Sequence, residues 1–332
     1  MAFIHPQSCP CTKSEVDLFS VPPTQVVMES ARYVECQPIA SIAQNAPIEF
    51  SISGSGNEYM DLGNSMLNVK IQITQADGTP IDNTHQVAPI NLILHSIFSD
   101  LEVKLNETVI STCGGLYPYR CYIETLLSFG SDAKSSQLQA SGYAADVAGH
   151  FDETDPMGAA AQNRGLIKDL CGKLHFDLSY QDKLIPSDVG LRIRLTPSKD
   201  AFCLMAHGAQ PGFKVKILEA RLLIRKVRIS DSLYLAHAKG FQHGNARFPL
   251  RRVAIKSYSI PQGLLSHSQE GISSGQLPTR MVLGFVENNA MNGTYNSNPF
   301  HFKHFGVTDL KIWIGGQADV HVTPLEMNYE TN

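Results

Sequence analysis

With 332 residues, 43% hydrophobic and 17% charged, the chain has a globular composition, long enough for one large β domain or two of ordinary size. Net charge is only −4, which argues against a general nucleic-acid binder, and no apolar run approaches the ~18–20 residues of a membrane span. The charge is uneven: residues 1–212 carry −10, 213–256 carry +9 and 257–332 carry −3. An acidic body with one basic segment points to self-assembly or an internal acidic partner.

The first residues, MAFIHPQSCPC, lack the basic and continuous apolar regions of a signal peptide, so the chain is expected to stay on the cytosolic side and not be secreted. Seven cysteines, odd in number and irregular in spacing, read as reduced thiols. The sequons at Asn106 and Asn292 are then incidental. Cys9-Pro10-Cys11 lacks the spacing of a zinc or redox motif. Residues 1–45, with Pro22-Pro23 forcing an extended path, read as an arm.

From residue 46 the pattern alternates with the period of half-buried strands. PIEFSIS sets Ile48, Phe50 and Ile52 against polar neighbours; after the turn chemistry of 54–57, MLNVKIQIT does the same with Leu67, Val69, Ile71 and Ile73. IFSDLEVKLNETVI (97–110) alternates Leu101, Val103 and Leu105, and FGVTDLKIWIGGQ (305–317) looks like a second copy with Leu310, Ile312 and Ile314. That repeat suggests two similar β units in tandem. One helix is expected near 119–129, with Pro118 in its first turn, Tyr122, Ile123, Leu126 and Leu127 as its core stripe, and Gly130 as its C-cap. Residues 131–165 read as a surface excursion whose acids, Asp146, Asp152, Glu153 and Asp155, form a solvated face.

KLHFDLSY (173–180) and LRIRLTPS (191–198) read as strands, with His175 on a polar side meeting solvent or a hydrogen bond. MAHGAQPG (205–212) is the best linker. Beyond it come FKVKI, RLLIRKVRIS, the basic GNARFPLRRVAIKSYSIPQG, and TRMVLGFVEN as a further strand. The domain reading is therefore an arm at 1–45, a first unit at 46–204, a linker at 205–212 and a second unit at 213–332. Arg221, Arg225, Lys226, Arg228, Arg247, Arg251, Arg252 and Lys256 form a candidate basic interface facing the acidic body. Aromatics interleave with it, so weak nucleic-acid contact through 213–256 is a lesser expectation.

No GxSxG, HExxH, Walker loop or dinucleotide fingerprint occurs in its structural context. His301, His304 and His321 lack the converging spacing of a cupin-type centre. The expectation is no enzyme, no cofactor and no metal.

Several long phrases carry a resemblance: DLFSVPPTQ (17–25), PIEFSISGSGNEYMDLGNSML (47–67), YPYRCYIETLLSFG (117–130), LRIRLTPSKDAFCLM (191–205), LEARLLIRKVRISDSLYLAHAKGFQHGNARFPLRRVAIKSYSIPQG (218–263) and GQLPTRMVLGFVENNAMNGTYNSNPFHFKHFGV (275–307). The chain resembles the double jelly-roll major capsid (hexon) proteins of Maverick/Polinton elements and adintoviruses. The resemblance implies an all-β tandem double jelly roll, forming homotrimeric pseudo-hexameric capsomers of an icosahedral shell. It also implies a penton or minor capsid partner and a place in the virion, after an intracellular stage before assembly. Family members run on past the region matching FHFKHFGVTDLKIWIGGQ, so the second barrel is expected to be incomplete. The alternative is a host-retained interaction protein on the same fold that no longer builds particles.

Overall fold

The structure, a computed structural model, describes residues 16–19, 21, 24–54, 56–81, 87–152, 167–206, 212–273, 278–313 and 325–327. The expected all-β class is borne out: sheets organise the described residues and the helices are few and short.

The strands are β1 (Met28–Cys36), β2 (Ile48–Ile52), β3 (Glu58–Thr74), β4 (Val87–Pro89), β5 (Phe98–Leu105), β6 (Thr108–Ser111), β7 (Ile167–Gly172), β8 (Leu191–Pro197), β9 (Leu204–Ala206), β10 (Lys214–Ile229), β11 (Asp309–Leu310) and β12 (Leu325–Glu326). Eight of them form two four-stranded antiparallel sheets, ordered β1-β10-β3-β7 and β2-β8-β5-β6. The chain crosses repeatedly between the sheets, and each sheet joins strands distant in sequence. That is the topology of a complete jelly roll, two sheets packed face to face. The short pair β4-β9 stands beside them.

The core follows from the alternation. In one sheet Phe50, Ile193 and Val103 stand in one row and Ile48, Leu195 and Leu101 in the next. In the other, Ala220, Val69 and Leu170 share a row. All nine are buried. β10 changes phase along its length. Ala220, Leu222 and Ile224 are buried in the middle, Val227 and Ile229 at the end, and the register shifts between Ile217 and Glu219 and between Leu223 and Arg225. A bulge at each shift keeps the apolar side chains turned inward when their parity changes. Gly54 lies two residues beyond β2, where a Cβ would fall 1.4 Å from the Ser187 carbonyl oxygen, so only glycine fits.

Several expectations are corrected. The arm at 1–45 contains β1, an edge strand of the jelly roll whose side chains are mostly exposed. The linker at 205–212 begins inside β9, where Met205 and Ala206 are buried; 207–211 lie outside the described residues. β10, assigned to a second unit, is hydrogen-bonded between β1 and β3 in the first. KLHFDLSY is no strand: Leu174, His175, Phe176, Asp177, Leu178 and Ser179 are all buried, and Asp177–Tyr180 is a 3-10 turn.

The expected helix is α2 (Tyr117–Ser128), with Pro118 in its first turn. Its buried face is Tyr117, Arg120, Cys121, Tyr122 and Thr125, whereas Leu126 and Leu127 are exposed because the last turn leaves the barrel. Gly130 has a φ of −76°, so it is no left-handed cap; it starts the next short helix.

The second half differs from the first. After α3 (Asp231–Phe241) the described residues form no strand until β11, and one short helix, Asn288–Asn292, lies between. TRMVLGFVEN forms no strand ladder among the described residues, and Met281, Val282 and Leu283 are exposed. The second copy of the repeat is not a second β5 among the described residues. Only Asp309 and Leu310 pair, with β12, and Phe305 is 55% exposed where Phe98 is fully buried. Residues 314–317 of that copy lie outside the described residues. No helix among the described residues is long and apolar enough to cross a membrane. The five described cysteines are free thiols.

Candidate functional site

The eight basic residues fall into two sets. Four sit on β10 and are engaged within the sheet. Arg221 meets Glu219 at 2.8 Å and Glu35 at 3.5 Å, Arg225 pairs with Asp61, and Arg228 meets Glu29 at 3.3 Å. Lys226 is buried and its Nζ donates to the Ser53 carbonyl at 3.4 Å. The acids that answer this half of the basic segment are on β1, β3 and β10 of the same chain. The other four lie on the extended segment after α3. Arg247, Arg251 and Arg252 are exposed and make no ion pair among the described residues, while Lys256 donates to the Ile272 carbonyl at 2.7 Å. Beside them Phe248, Leu250 and Ile255 pack on the core, but Val253, Tyr258, Ile260, Leu264 and Leu265 are exposed. This stretch offers a mixed apolar and cationic surface.

The later half is anchored to the jelly roll at several places, among them Tyr295, whose carbonyl accepts from the Ala206 amide at 2.9 Å and whose hydroxyl donates to the Phe213 carbonyl at 2.8 Å. Phe300 is fully buried, stacked on Tyr122 with centroids 4.2 Å apart and edge-on to Tyr119 at 5.8 Å. Asn298 donates to the Phe151 carbonyl at 3.0 Å, and His301 meets Asp152 at 2.6 Å. Asp152 is thus an anchor. Asp146 is another: it accepts hydrogen bonds from Tyr122 at 2.5 Å and Asn91 at 2.8 Å, and burial raises its pKa above the usual carboxylate range. The expected solvated acidic face is corrected for these two; Glu153 and Asp155 lie outside the described residues. A further anchor is the Val253 amide, which donates to Asp177 at 3.4 Å.

Asp177 belongs to a buried polar centre built by three elements. α1 (Ile93–Ser96) supplies His95; its start is held by Asn91, whose side chain bonds the Leu92 and Ala144 amides. α2 supplies Tyr117, Arg120, Cys121 and Glu124, one helical face at i, i+3, i+4 and i+7 spacing. The chain after β7 supplies His175. Arg120 is 2% exposed and bonds Glu124 at 2.9 Å and Asp177 at 2.7 Å. Burial works against its charge, but the two carboxylates outweigh burial and hold its pKa up. Burial also works to raise Glu124, yet hydrogen bonds and charge from His175 and Arg120 keep its pKa below the usual value. His175 Nδ1 lies 2.8 Å from Glu124 and 2.6 Å from the Tyr180 hydroxyl; His95 Nδ1 lies 3.1 Å from the Tyr117 hydroxyl. Burial, and then His175, keep the His95 pKa well below 6.5. Burial pushes the Cys113 thiol up to about 11 despite Arg120 beside it.

His175 is therefore buried and hydrogen-bonded rather than solvated, and it does pair with a glutamate. Sequence reading missed this centre because His95, Cys121 and His175 are far apart along the chain. The one available signal was the polar stripe on α2, which the apolar stripe overshadowed.

No family model matches the chain. It is 26% identical over 326 residues to an uncharacterised protein of Caenorhabditis elegans, covering 94% of this chain and 76% of that protein. Among solved structures it is similar to a chain of the Sputnik virophage, at 11% identity and a TM-score of 0.46, over 68% of this chain and 53% of that one. It is also similar to the Faustovirus major capsid protein, at 10% and 0.45, over 69% and 59%. A chain of the PBCV-1 virus capsid matches at 9% and 0.43, over 66% and 47%. The chain spans roughly half the length of these three, between 47% and 59%.

Proposed function

We propose that the chain is a structural shell subunit of the Maverick/Polinton and adintovirus capsid type that its sequence resembles, acting by association with copies of itself. The observation that carries the reading is a complete jelly roll at β1–β10 followed by a segment that is strand-like in sequence and forms no ladder among the described residues. On this reading the first roll runs from 28 to 229, α3 leads out of it, and the later residues belong to a second β unit. Apolar side chains such as Val253, Leu264, Leu265, Met281 and Leu283 would then be covered on assembly. The occupant is a second copy. Its acidic body, at −10 over residues 1–212, complements the exposed Arg247, Arg251 and Arg252 beside the apolar patch. Half of the basic segment is already spent on intrachain pairs, which favours protein over nucleic acid as the main partner. Trimeric capsomers, a vertex protein and a place in the particle follow from the same resemblance.

The double variant Leu264→Asp with Leu265→Asp tests the surface. Both side chains are exposed, so circular dichroism should be unchanged while self-association, read by light scattering across concentration, is lost. Unaltered association would overturn the assigned surface.

A further inference from the structure

We propose that His95, Cys121 and His175 form a transition-metal site, of zinc class, that locks α1, α2 and the chain after β7 together. One ligand atom from each residue lies within 4.8 Å of the other two, and all three residues are buried. The three come from separate elements, so a shared ion would link segments that the backbone joins only through long excursions.

Geometry supports ligation at specific atoms. Each imidazole has its Nδ1 engaged, that of His95 with Tyr117 and that of His175 with Glu124, which leaves Nε2 for a metal. The Glu124–His175 pair is the carboxylate–histidine arrangement that orients metal-bound imidazoles and raises their basicity. Arg120 bonds the other oxygen of Glu124 and so fixes that carboxylate in turn. The two rings meet edge to face, with centroids 4.8 Å apart at 86°, so a single point can lie near both nitrogens. Two imidazoles and one sulfur form a borderline-soft donor set, suited to zinc or cobalt and unsuited to magnesium or calcium. Bond lengths of about 2.0 Å to nitrogen and about 2.3 Å to sulfur require ligand atoms roughly 3.3–3.8 Å apart, so the ion would draw the three together by about 1 Å. On binding, the Cys121 sulfur gives up its proton to solvent and forms the metal bond as thiolate. The role is structural: α2 also carries the Arg120–Asp177 pair, and Asp177 holds the Val253 amide at the start of the exposed segment.

The test uses the full chain, purified without chelator, and inductively coupled plasma mass spectrometry. The expected result is about one zinc per folded chain, held by the three side chains with the fourth tetrahedral position left to water. Replacement by cobalt should give a thiolate-to-metal charge-transfer band, retained in Cys113→Ser and lost in Cys121→Ser, and chelation should lower the melting temperature. A folded chain that holds no zinc after incubation and dialysis would overturn the site. So would cobalt binding without the charge-transfer band, a measurement on the unmodified chain that stands even where Cys121→Ser fails to fold. Retention of the band in a folded Cys121→Ser variant would also overturn it.

Discussion

Arg120→Ala should cost about 3–5 kcal/mol of folding stability, the largest loss expected from any single charge removal among the described residues. The guanidinium is buried beneath α2 and bonds two carboxylates from different segments, Glu124 and Asp177. Its removal leaves both acids desolvated without their cation, and that uncompensated burial, rather than the lost attraction, dominates the cost. Against a typical domain stability of about 5–15 kcal/mol, the variant would be marginal or unfolded. Arg228→Ala is the matched control. Its pair with Glu29 is about half exposed on both sides, so the loss should stay under about 1 kcal/mol. Urea midpoints of the two variants against the parent chain decide the matter. Equal and small losses would mean that the buried network does not hold α2 against the roll.

Phe300→Ala is expected to cost about 3–5 kcal/mol as well, by emptying a filled site. Its ring is fully buried between Tyr122 and Tyr119, and aromatic stacking adds about 0.5–1.5 kcal/mol beyond the area hidden. Phe300 is also the residue of the later half that is most deeply buried among the described residues. The variant should therefore combine a lowered urea midpoint with faster proteolysis within 243–273, because the contacts made by residues 298–301 loosen. A variant within 1 kcal/mol of the parent, cleaved no faster, would mean that the later half is held by other contacts.

The contrast between the two halves explains what could be read from the sequence. β2, β5 and β8 alternate cleanly because one face is core and the other is not. β10 was legible as apolar runs, and its two bulges are written as changes of parity: Val215 and Ile217 in one phase, Leu222 and Ile224 in the other, Val227 and Ile229 back in the first. β1 was missed because an edge strand with exposed side chains leaves no alternation to find, and it was taken for an arm. Residues 173–180 gave the opposite error, since a segment buried on all sides can mimic a strand by composition alone. In 253–260 and 279–288 alternation is present but no ladder partner is among the described residues, and strand pattern becomes ladder only when another strand lies alongside. The basic residues were found, yet their division into paired and exposed sets depends on β10 lying between β1 and β3. The His95–Cys121–His175 centre left only the polar stripe on α2 as a linear signal, because the fold brings its three residues together from distant segments.

The central claim is self-association of a shell subunit, and the solution mass of the purified chain by multi-angle light scattering tests it most directly. The chain mass is 36.4 kDa, and the account predicts a species of about three times that value, hexagonal in outline by negative stain. A species that stays at 36.4 kDa across the accessible concentration range would contradict it.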